Sequence, residues 1–535
     1  MSGMGGMSRM SGTDGMGGMP LPHGYVVGLD RHTRVLDGGR ALLGGHPTRL
    51  LRLTPRARGL LTGRTLRVRD RAGAVLADRL LATGLAHPLV TELPPIDPSA
   101  PSDPSDPNAP DIPNTAKGTV TYVIPVRDRP DQLDRALASI RATTTDAPVI
   151  VVDDASHEPA PVAAVAERHH ARVLPLADNL GPAGARNAGL REVTTPYVVF
   201  IDSDIVLAKD TVDVLLRHFA DPAVVLAVPR IAALPGPAAE RWLGRYESTR
   251  SSLDLGRHPA SVRTGTPVSW VPSACMLART DALTKADGFD AGMRVGEDVD
   301  LCWRLTADGG RIRYEPAVQA AHEHRVELAD WFHRKAVYGT GAHPLACRHP
   351  DNIAPAILAP WSAAMLVALL AQRRWSLPVA GGLAAVATVR NAQKLKGIKH
   401  PLPHAARLTA LGSLASLTQG TALLTRHWWP LTVVGCLVSR RLRRATAVAA
   451  VTDVALETLG RGPEPTRLDP VRYAVARRLD DLAYGSGVWL SALKGRSTAA
   501  LRPRIVRAAA RPRSPLPHEH AGPRGDARPR RTPAA

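Results

Sequence analysis

Short apolar runs alternate with helix-like segments through the middle of the chain. The runs have strand length and lie at residues 119–125, 149–152, 171–176 and 197–201. The helix-like segments between and after them lie at about 130–142, 159–169, 183–191 and 210–219. This alternation predicts an α/β domain with a parallel, doubly wound sheet. Because ligands of such sheets bind beyond the carboxyl ends of the strands, the polar residues after each run are the candidates for function.

Residues 21–93 show a different pattern, in which short apolar runs are separated by turns. The runs lie at 25–29, 34–36, 41–43 and 49–53, with glycine pairs at 38–39 and 44–45. The pair Thr54-Pro55 predicts the start of one helix, and a second is expected from about Gly73 to Thr83, ending at Gly84. Strands with two or three helices in so short a segment predict a small α+β or winged-helix-like module.

Three stretches lack the apolar content that a core needs. Residues 1–20 are rich in Met, Gly and Ser, which predicts a disordered arm and argues against a signal peptide. Residues 94–117 are rich in Pro, Asp and Ser and predict an extended linker. Residues 496–535 predict a disordered basic tail. These limits leave the α/β domain at 118–345 and a helical region at 346–495.

The helical region contains long uncharged stretches. Residues 353–371 are 19 residues without a charge, residues 375–389 are another 15, and residues 427–439 add two tryptophans. Basic clusters flank them at Arg373 and Arg374, at Lys394, Lys396 and Lys399, and at Arg440 to Arg444. Two interpretations remain open, buried helices of a soluble domain or helices that enter or lie on a membrane. The basic flanks and tryptophans favour a membrane-associated region on the cytoplasmic face of the cell membrane.

Composition narrows the classes of function. The formal net charge is +20, and much of it comes from Arg-rich segments outside the α/β domain. A basic balance suits nucleic acid, anionic lipid or a diphosphate substrate. No zinc-finger or RNA-binding motif accompanies it, so no nucleic-acid partner is expected. The four cysteines are scattered without a CxxC pair, which argues for a reducing compartment and against structural zinc.

The first candidate site residues follow the first two predicted strands. Pro125, Val126 and Arg127 come at the end of the first strand, where proline is expected to end the ladder and turn backbone groups toward a base. Asp153 and Asp154 come at the end of the second. Two acids at a strand end either hold a ligand or cap a turn, and the residues themselves leave both roles open.

A glycine-rich segment leads into the third predicted helix. Residues 179–187 read NLGPAGARN. Small residues let a helix N-terminus approach a ligand closely, and Arg186 within the segment can contact a phosphate. An ordinary glycine loop is the other interpretation.

Asp202 and Asp204 follow the fourth strand, with Ser203 between them. Carboxylates two residues apart at a strand end point to the same side, so both can face one hard cation. A nucleoside diphosphate needs such a cation, because its two phosphates cannot leave without neutralisation. Helix capping is the alternative. Further along the chain, His322 or His324 is a candidate to complete the metal shell, although a single histidine is more often structural.

Three acids, Glu297, Asp298 and Asp300, lie around one helical turn after the loop Gly288-Phe289-Asp290. One acid at a helix start is a favourable contact with the helix dipole, but three exceed what capping requires. One of these carboxylates is therefore a candidate general base that removes the proton of an acceptor hydroxyl.

The order of these motifs resembles the family 2 glycosyltransferases of the GT-A fold over residues 119–325. The shared elements are VIPV, VVDDAS, NLGPAGARN, DSD, SACM, GFD and GEDVDL. By that resemblance, Asp154 contacts the uracil of a nucleotide sugar and Asp202 contacts the ribose or the metal. The residues implied in nucleotide-sugar binding are Pro125, Val126, Arg127, Asp154, Arg186 and Asp202.

The same resemblance implies the metal and the base. Asp204, with help from Asp202 and His322, is expected to bind Mg²⁺ or Mn²⁺. Asp298, with Glu297 beside it, is expected to be the base of an inverting single displacement. The Q-x-x-R-W motif of processive synthases is absent, and residues 331–334 (WFHR) are only distantly similar to it. Synthesis of a long polymer is therefore not expected.

The whole layout, including the front module and the apolar C-terminal region, resembles the mycofactocin-system glycosyltransferases of actinobacteria. That resemblance implies transfer of a hexose from UDP-glucose to a hydroxyl of a peptide-derived redox cofactor, with residues 21–93 as a peptide-recognition module. The alternative is a membrane glycosyltransferase with a lipid or cell-wall acceptor and the same catalytic residues. A nucleotidyltransferase has a similar sheet and Asp-x-Asp site, but would lack the late GEDVDL element.

Overall fold

The computed structural model describes residues 20–93, 119–144, 146–460 and 468–506. The predicted linker at 94–117 lies outside the described residues, as do the predicted arm up to residue 19 and the predicted tail beyond residue 506.

The front module is rich in short strands. Its elements are β1 (Val26–Leu29), β2 (Arg34–Leu36), β3 (Ala41–Gly44), β4 (Arg49–Arg52), α1 (Pro55–Gly59), β5 (Thr65–Arg67), α2 (Arg71–Thr83) and β6 (Ala86–Pro88), with 3-10 turns at Asp37–Gly39 and Val90–Glu92. β1 is the centre of one antiparallel sheet, between β5 and β6, and β3 is the centre of another, between β2 and β4.

α1 begins at Pro55 as predicted, and α2 ends at Thr83 as predicted but begins at Arg71, two residues before the expected start. The Thr54 hydroxyl accepts a hydrogen bond from the Ala57 N–H at 3.2 Å, and Asp70 caps the Gly73 N–H at 2.7 Å. α2 ends at Gly84, whose φ of 68° is left-handed and favours glycine. The winged-helix form is not confirmed: residues 20–93 form two three-stranded sheets, a 13-residue helix and a five-residue helix.

The α/β domain contains the predicted strands and helices close to their expected positions. Its elements are β7 (Val120–Val126), α3 (Pro130–Thr143), β8 (Val149–Asp153), α4 (Pro159–Arg168), β9 (Arg172–Pro175), α5 (Gly181–Arg191), β10 (Tyr197–Ile201), β11 (Ile205–Leu207), α6 (Thr211–Leu216), a 3-10 turn (Arg217–Ala220), β12 (Val224–Ala233), α7 (Pro237–Glu240), α8 (Trp242–Arg250), β13 (Ala260–Val262), β14 (Cys275–Arg279), α9 (Thr280–Lys285), α10 (Glu297–Ala307), β15 (Arg311–His322), α11 (Leu328–Thr340) and α12 (Ala342–Arg348).

These strands form one mixed sheet. β9, β8, β7 and β10 lie side by side and parallel, followed by β14, β12, β15 and β11. β14 is antiparallel to β10 and β12, while β15 is parallel to β12 and antiparallel to β11. The predicted parallel arrangement therefore holds for β9, β8, β7 and β10. The other half of the sheet is mixed, with one further parallel pair, β12 and β15. Two consecutive strands can be parallel neighbours only if a crossover connection lies between them, and the regular alternation of strands with crossover helices ends at β10.

Helices cover both faces of the sheet, as the doubly wound prediction requires. α3 and α4 bury Leu133, Leu137, Ile140, Val162 and Val165 against one face. α5 and α10 bury Ala185, Ala188, Leu190, Leu301 and Leu305 against the other. The two layers leave the carboxyl edge of the parallel strands open, and the polar motifs lie there.

The C-terminal region is helical. Its elements are β16 (Ile357–Leu358), α13 (Pro360–Ala371), α14 (Ser376–Lys394), α15 (Pro401–Ala422), a π-helical turn (Leu423–His427), α16 (Trp429–Val438), α17 (Arg440–Gly460), α18 (Pro470–Lys494), a 3-10 turn (Ala499–Leu501) and β17 (Arg504–Ile505). β17 pairs with β16, and Ala500 and Leu501 are buried. The predicted disorder is therefore wrong for residues 496–506, because these apolar side chains find a place in the helical core.

Two of these helices leave nearly all of their apolar side chains exposed or only partly buried. α14 buries only Ser376 and Ala387, and α16 buries only Thr432. Across residues 20–93, 119–144, 146–460 and 468–506, no helix has both the length and the apolar content needed to cross a membrane.

The front module packs against both other parts of the chain. Arg263, after β13, donates hydrogen bonds to the carbonyls of Ala82 and His46, each at 2.5 Å. On another side, module residues bury against the α14–α15 connection through Leu36, Ala41, Leu43, Leu395, Ile398 and Ala405. These contacts hold the module in a defined place beside the sheet.

Candidate active site

The parallel strands bring three polar segments to one edge. β7, β8 and β10 run in the same direction and are neighbours, so the residues that follow them lie together. The three segments are 127–129, 153–154 and 202–204. Sequence order alone separates these segments by tens of residues, and only the sheet places them side by side.

Small residues in α5 position Arg186. A Cβ added at Gly189 would lie 2.3 Å from a methyl carbon of Val123 and 3.0 Å from one of Val152, so α5 rests directly on the strands. This close packing carries the buried Arg186 side chain to the strand edge. There its guanidinium donates to Asp202 at 2.5 Å and to Glu297 at 3.2 Å.

Arg186 therefore lies between two carboxylates and does not present itself to an open phosphate site. Its side chain is 3% exposed, and its Nε has no hydrogen-bond partner among the described residues. Burial would lower the pKa of Arg186, but the charges of Asp202 and Glu297 outweigh it and raise that pKa. The phosphate contact predicted for Arg186 is thus replaced here by an internal ion-pair triad.

The loop before α10 is tied to α5. Asn187 donates to the Phe289 carbonyl at 2.6 Å and accepts from the Phe289 N–H at 2.8 Å. Gly288 adopts a φ of 59°, and a Cβ there would lie 2.4 Å from the Asn187 side-chain oxygen. This two-way bond fixes the start of α10, and with it Glu297, relative to Arg186.

Asp154 has a capping role. Its carboxylate accepts hydrogen bonds from the N–H groups of Leu180 at 2.7 Å and Gly181 at 2.9 Å, at the start of α5. Asp153 is also occupied, because it accepts from the Ser156 N–H at 3.0 Å. The capping alternative is therefore realised for both acids, and these contacts hold the glycine segment against β8.

The end of β7 differs from the expectation. Pro125 does not end the ladder, since it pairs in register with Val152, and Val126 pairs with Asp153. The Val126 carbonyl accepts from the Asp154 N–H at 2.9 Å, so that group is not free to meet a base. Pairing of β7 with β10 stops at Val123, so the missing N–H of Pro125 costs no ladder bond on that side. The segment beyond the strand is exposed.

Arg127 lies in that exposed segment. Its Nε donates to the Ala155 carbonyl at 3.2 Å and lies 3.6 Å from the Asp128 carboxylate. Its guanidinium thus bridges the ends of β7 and β8 and remains partly open to solvent.

Asp204 faces a guanidinium and an imidazole. Arg129 donates to its carboxylate at 3.0 Å, and the Nε2 atom of His322 lies 3.7 Å away. Burial works to raise the pKa of the Asp204 carboxyl, but the His322 imidazole and two nearby guanidiniums outweigh it and lower that pKa well below its ordinary value. Asp204 is therefore an anion at neutral pH.

His322 reaches Asp204 through strand pairing. β15 is antiparallel to β11, which places His322 opposite Ile205, one residue after Asp204. The Nδ1 atom of His322 lies 3.3 Å from that of His324. Burial lowers the pKa of His324 to about 3, so this second ring is neutral.

The predicted pair of carboxylates is split. β10 ends at Ile201, and the Ile205 N–H bonds back to the Asp202 carbonyl at 3.1 Å, so residues 202–204 form a turn. Strand alternation does not extend through a turn. Asp202 consequently points to Arg186, while Asp204 points to Arg129.

Protein side chains can supply only some of the ligands of a divalent cation in this arrangement. No group of three or more His, Cys, Asp or Glu side chains converges on a metal position within the chain as described. Asp204 and His322 supply an adjacent oxygen and nitrogen, while Asp202 is engaged elsewhere. A Mg²⁺ ion that binds phosphates takes one or two protein carboxylates and completes its shell with phosphate and water oxygens. Asp204 and His322 fit a cation of that kind.

The two acids at the start of α10 differ. Glu297 is buried and paired with Arg186, whereas Asp298 forms no ion pair among the described residues. Burial raises the pKa of Asp298 to about 7, the Glu297 charge adds to the rise, and the Val299 N–H and the Arg186 charge oppose it. Asp298 can therefore accept a proton near neutral pH.

Asp300 has a structural role that its motif does not reveal. It is fully buried and accepts from Arg304 at 2.7 Å, within α10. From the far side, His349 contacts it at 2.8 Å and Arg348 at 3.2 Å. Asp300 thus joins α10 to the end of α12 and is not the base.

Three arginines near Asp202 and Asp204 were not predicted as site residues from the sequence. Arg129 binds Asp204, and the positive charge of Arg325 contributes to the low pKa of that acid. Burial lowers the pKa of Arg334, but Tyr338 and the two acids of the 202–204 segment raise it. Arg334 belongs to the WFHR segment, whose likeness to a known motif was the available signal. Arg129 follows the VIPV strand without any pattern that marks it.

Comparison with known proteins identifies the family. A pre-mycofactocin glycosyltransferase of Mycobacterium tuberculosis (strain H37Rv) is 41% identical over 492 residues, which cover 91% of this chain and 98% of that protein. The chain belongs to the pre-mycofactocin glycosyltransferase family. A match of that length includes parts of the front module and of the C-terminal helices as well as the α/β domain.

A family model supports the same class. The model described as glycosyl transferase family 2 matches residues 121–283, from β7 to α9. The chain is therefore a glycosyltransferase, and the expected GT-A class of α/β fold agrees with this match and with the parallel strands of the domain.

More distant proteins share only part of the chain. The poly-beta-1,6-N-acetyl-D-glucosamine synthase of Staphylococcus aureus (strain MSSA476) is 21% identical over 236 residues, 43% of this chain and 56% of that protein. A solved mannosyltransferase of Pyrobaculum calidifontis, in complex with GDP-Man and Mn²⁺, is 21% identical and covers 64% of this chain and 88% of its own, with a TM-score of 0.34. At that score the likeness says nothing about the donor or metal of this chain.

Proposed function

We propose that this enzyme transfers a hexose from UDP-glucose to a hydroxyl of a peptide-derived redox cofactor, the acceptor class of the mycofactocin system. The observation that carries the proposal is the 41% identity to a pre-mycofactocin glycosyltransferase across nearly its whole length. The strand-edge geometry supports it, because the edge combines an unpaired carboxylate, a cation-binding pair and exposed guanidiniums.

Asp298 is the proposed general base. It is the acid at the start of α10 without an ion pair among the described residues, and a raised pKa of about 7 suits a group that gains and loses a proton at neutral pH. It would take the proton of the acceptor hydroxyl as that oxygen attacks the anomeric carbon in a single displacement, which inverts the configuration. Glu297 accepts a hydrogen bond from Arg186, which in turn donates to Asp202.

Asp204 and His322 are the proposed protein ligands of Mg²⁺ or Mn²⁺. The bound cation would neutralise the diphosphate that leaves. Arg129 and Arg325 add positive charge at the same place. Asp202 lies two residues away and is proposed to serve the ribose or the metal while it remains paired with Arg186.

The nucleotide is proposed to lie over the ends of β7 and β8. Pro125, Val126 and Arg127 form the last residues before the exposed segment, and Asp154 fixes the neighbouring glycine segment through its two backbone contacts. A base laid on this surface would meet the side chain of Arg127, and the capped carboxylate of Asp154 would lie beneath it. This placement rests on the position of the strand ends beside the cation pair.

The front module is proposed to help bind the acceptor. A cleft of about 950 Å³ lies between the module and the α14–α15 connection. Its basic lining consists of Arg40, Arg52, Arg58 and Lys399. The one acid of the lining, Asp37, is engaged by the Lys399 N–H at 3.0 Å. A cationic cleft suits the carboxylates of a peptide-derived acceptor.

The cleft allows a test of that role. Replacing Arg40 and Arg58 with Glu is expected to raise the KM for the acceptor and leave donor hydrolysis unchanged. Arg56→Glu is the matched control, because Arg56 belongs to the same short helix and does not line the cleft. An unchanged acceptor KM in the double variant would remove the front module from acceptor binding.

We also propose that the enzyme works at the cytoplasmic face of the cell membrane. The support is the exposed apolar surface of α14 and α16 together with the basic residues around them. This location also keeps open the second candidate function, transfer to a lipid or cell-wall acceptor, which would use the same catalytic residues.

Product analysis decides between the acceptors and donors. The full-length enzyme would be offered UDP-glucose and other nucleotide sugars, with either the peptide-derived cofactor or a membrane lipid extract as acceptor. Mass spectrometry is expected to show the cofactor heavier by one or more hexoses with UDP-glucose. Hexose found only on lipid would establish the second function, and activity with only another nucleotide sugar would contradict the donor.

A further inference from the structure

The charge of one long segment is entirely positive. Residues 352–452 contain twelve Arg and Lys residues and not one Asp or Glu. The helices of this segment also expose large apolar side chains, among them Val367, Leu370, Leu377, Leu402, Leu411, Leu431, Val434, Leu437, Val438 and Val448. Exposed apolar side chains that cluster on the surface of a protein mark a binding surface.

Two helical hairpins bring the strongest of these features together. α13 and α14 form one hairpin, and α16 and α17 form the other. At their turns, the Gln372 side-chain amide donates a hydrogen bond to the Arg441 carbonyl at 2.5 Å. This bond joins two basic clusters that lie far apart in the sequence. We name the resulting patch, residues 370–377 and 437–444, the hairpin-tip surface.

The hairpin-tip surface combines six arginines with apolar side chains. Leu377, Leu437 and Val438 are 75%, 77% and 85% exposed, and Trp375 is exposed beside them. Arg443 caps α16 by donating to the Cys436 carbonyl at 2.6 Å. The other five arginines of the surface are exposed, and their guanidiniums form no hydrogen bond or ion pair with the described residues. These five are Arg373, Arg374, Arg440, Arg441 and Arg444.

The patch is held firmly enough to act as a unit. Gly435 in α16 faces Leu442 in α17, where a Cβ would lie 2.4 Å from the leucine methyl. α16 and α17 are therefore closely packed at this point, and Leu437 and Val438 at the end of α16 are exposed. Gln372 ends α13 with a left-handed φ of 49°.

We propose that the hairpin-tip surface docks the enzyme on an anionic phospholipid membrane. This inference deepens the proposed location and names the surface and the lipid charge that would produce it. Leucine, valine and tryptophan side chains would enter the boundary between headgroups and acyl chains, while the arginines bind lipid phosphates. Each arginine near an anionic surface adds to the attraction.

Charge decides between a membrane and a second copy of the chain. Two hairpin-tip surfaces would bring twelve arginines together with no acid between them, because the segment has none. An anionic membrane supplies the missing negative charge.

Vesicle flotation of the full-length protein tests the proposal without donor or acceptor. Binding is expected to vesicles of equal parts phosphatidylglycerol and phosphatidylcholine, and to weaken with salt. The triple variant Arg440→Gln/Arg441→Gln/Arg444→Gln is expected to bind about 10²-fold more weakly. The double variant Leu437→Glu/Val438→Glu is expected to lose binding. Val75→Glu, a similarly exposed valine on α2, is the control and is expected to bind normally.

The outcomes separate this inference from the proposed function. Equal binding to neutral and anionic vesicles, or no binding to either, overturns the docking surface and leaves glycosyl transfer untouched. Sedimentation without lipid supplies the second measurement. A dimer that Leu437→Glu/Val438→Glu breaks would assign the surface to a second copy and also overturn the inference. Unchanged melting temperatures of the variants show that lost binding is not lost folding.

Discussion

Glu297 and Asp298 are neighbours in the sequence and have opposite electrostatic surroundings. Glu297 lies 3.2 Å from the Arg186 guanidinium, so the negative charge of Glu297 is neutralised within the protein. Asp298 has no such partner among the described residues, and burial together with the charge of Glu297 raises its pKa to about 7. One carboxylate thus builds the site and the other remains available for proton transfer.

Replacing Asp298 with Asn removes the proposed base and preserves the shape of the side chain. Turnover is expected to fall by at least about 10², the usual contribution of a positioned base, while the donor still binds. Steady-state kinetics and donor calorimetry measure the two effects. Asp308→Asn, at the exposed end of the same helix, is the control. Near-normal turnover of Asp298→Asn would remove this residue from the mechanism.

The pH dependence of the rate follows from the raised pKa of Asp298. The base must be ionised, so the rate is expected to be low in acid, to rise with pH through about 7 and then to level off. The slope belongs to Asp298 if Asp298→Asn abolishes it and Asp298→Glu shifts it. A rate that is flat between pH 6 and 8 in the unaltered enzyme contradicts the assignment.

Metal dependence is expected from Asp204 and His322. A chelator should abolish transfer, and Mg²⁺ or Mn²⁺ should restore it. Asp204→Asn is expected to raise the metal concentration needed for half-maximal rate by at least about tenfold, with a smaller effect for His322→Asn. Glu323→Gln, next to His322 and paired with Arg135 on the surface, is the control. Full activity in a metal-free preparation would show that the Asp-Ser-Asp segment binds no essential cation.

Arg186 is expected to be a determinant of stability. Arg186→Met leaves Asp202 and Glu297 without their shared cation, and Glu297 is buried, so the free energy of unfolding should fall by about 3 kcal/mol. Urea unfolding measures the change. Arg191→Met, on the exposed face of the same helix, should cost less than about 0.5 kcal/mol. Adding Glu297→Gln to Arg186→Met should recover part of the loss, and no recovery would mean that the triad is not the source.

Much of the fold was readable from local pattern. The four strands at 120–126, 149–153, 172–175 and 197–201 and the capped helices of the front module lie close to their predicted places. Apolar run length, caps and glycine C-termini act within a few residues, so the sequence carries them directly. The second half of the sheet was not readable, because pairing direction depends on connections between distant strands.

The sequence by itself determined which residue types surround the site. The acids, the glycine segment and Arg186 follow the predicted parallel strands in a fixed order along the chain. Only the tertiary structure decided what each one does. Asp154 caps Gly181, Asp202 binds Arg186, and Asp300 joins α10 to α12. The physical reason is that the role of a carboxylate depends on the charges and donors within a few ångströms of it. Those partners come from other strands and helices, and folding alone brings them together.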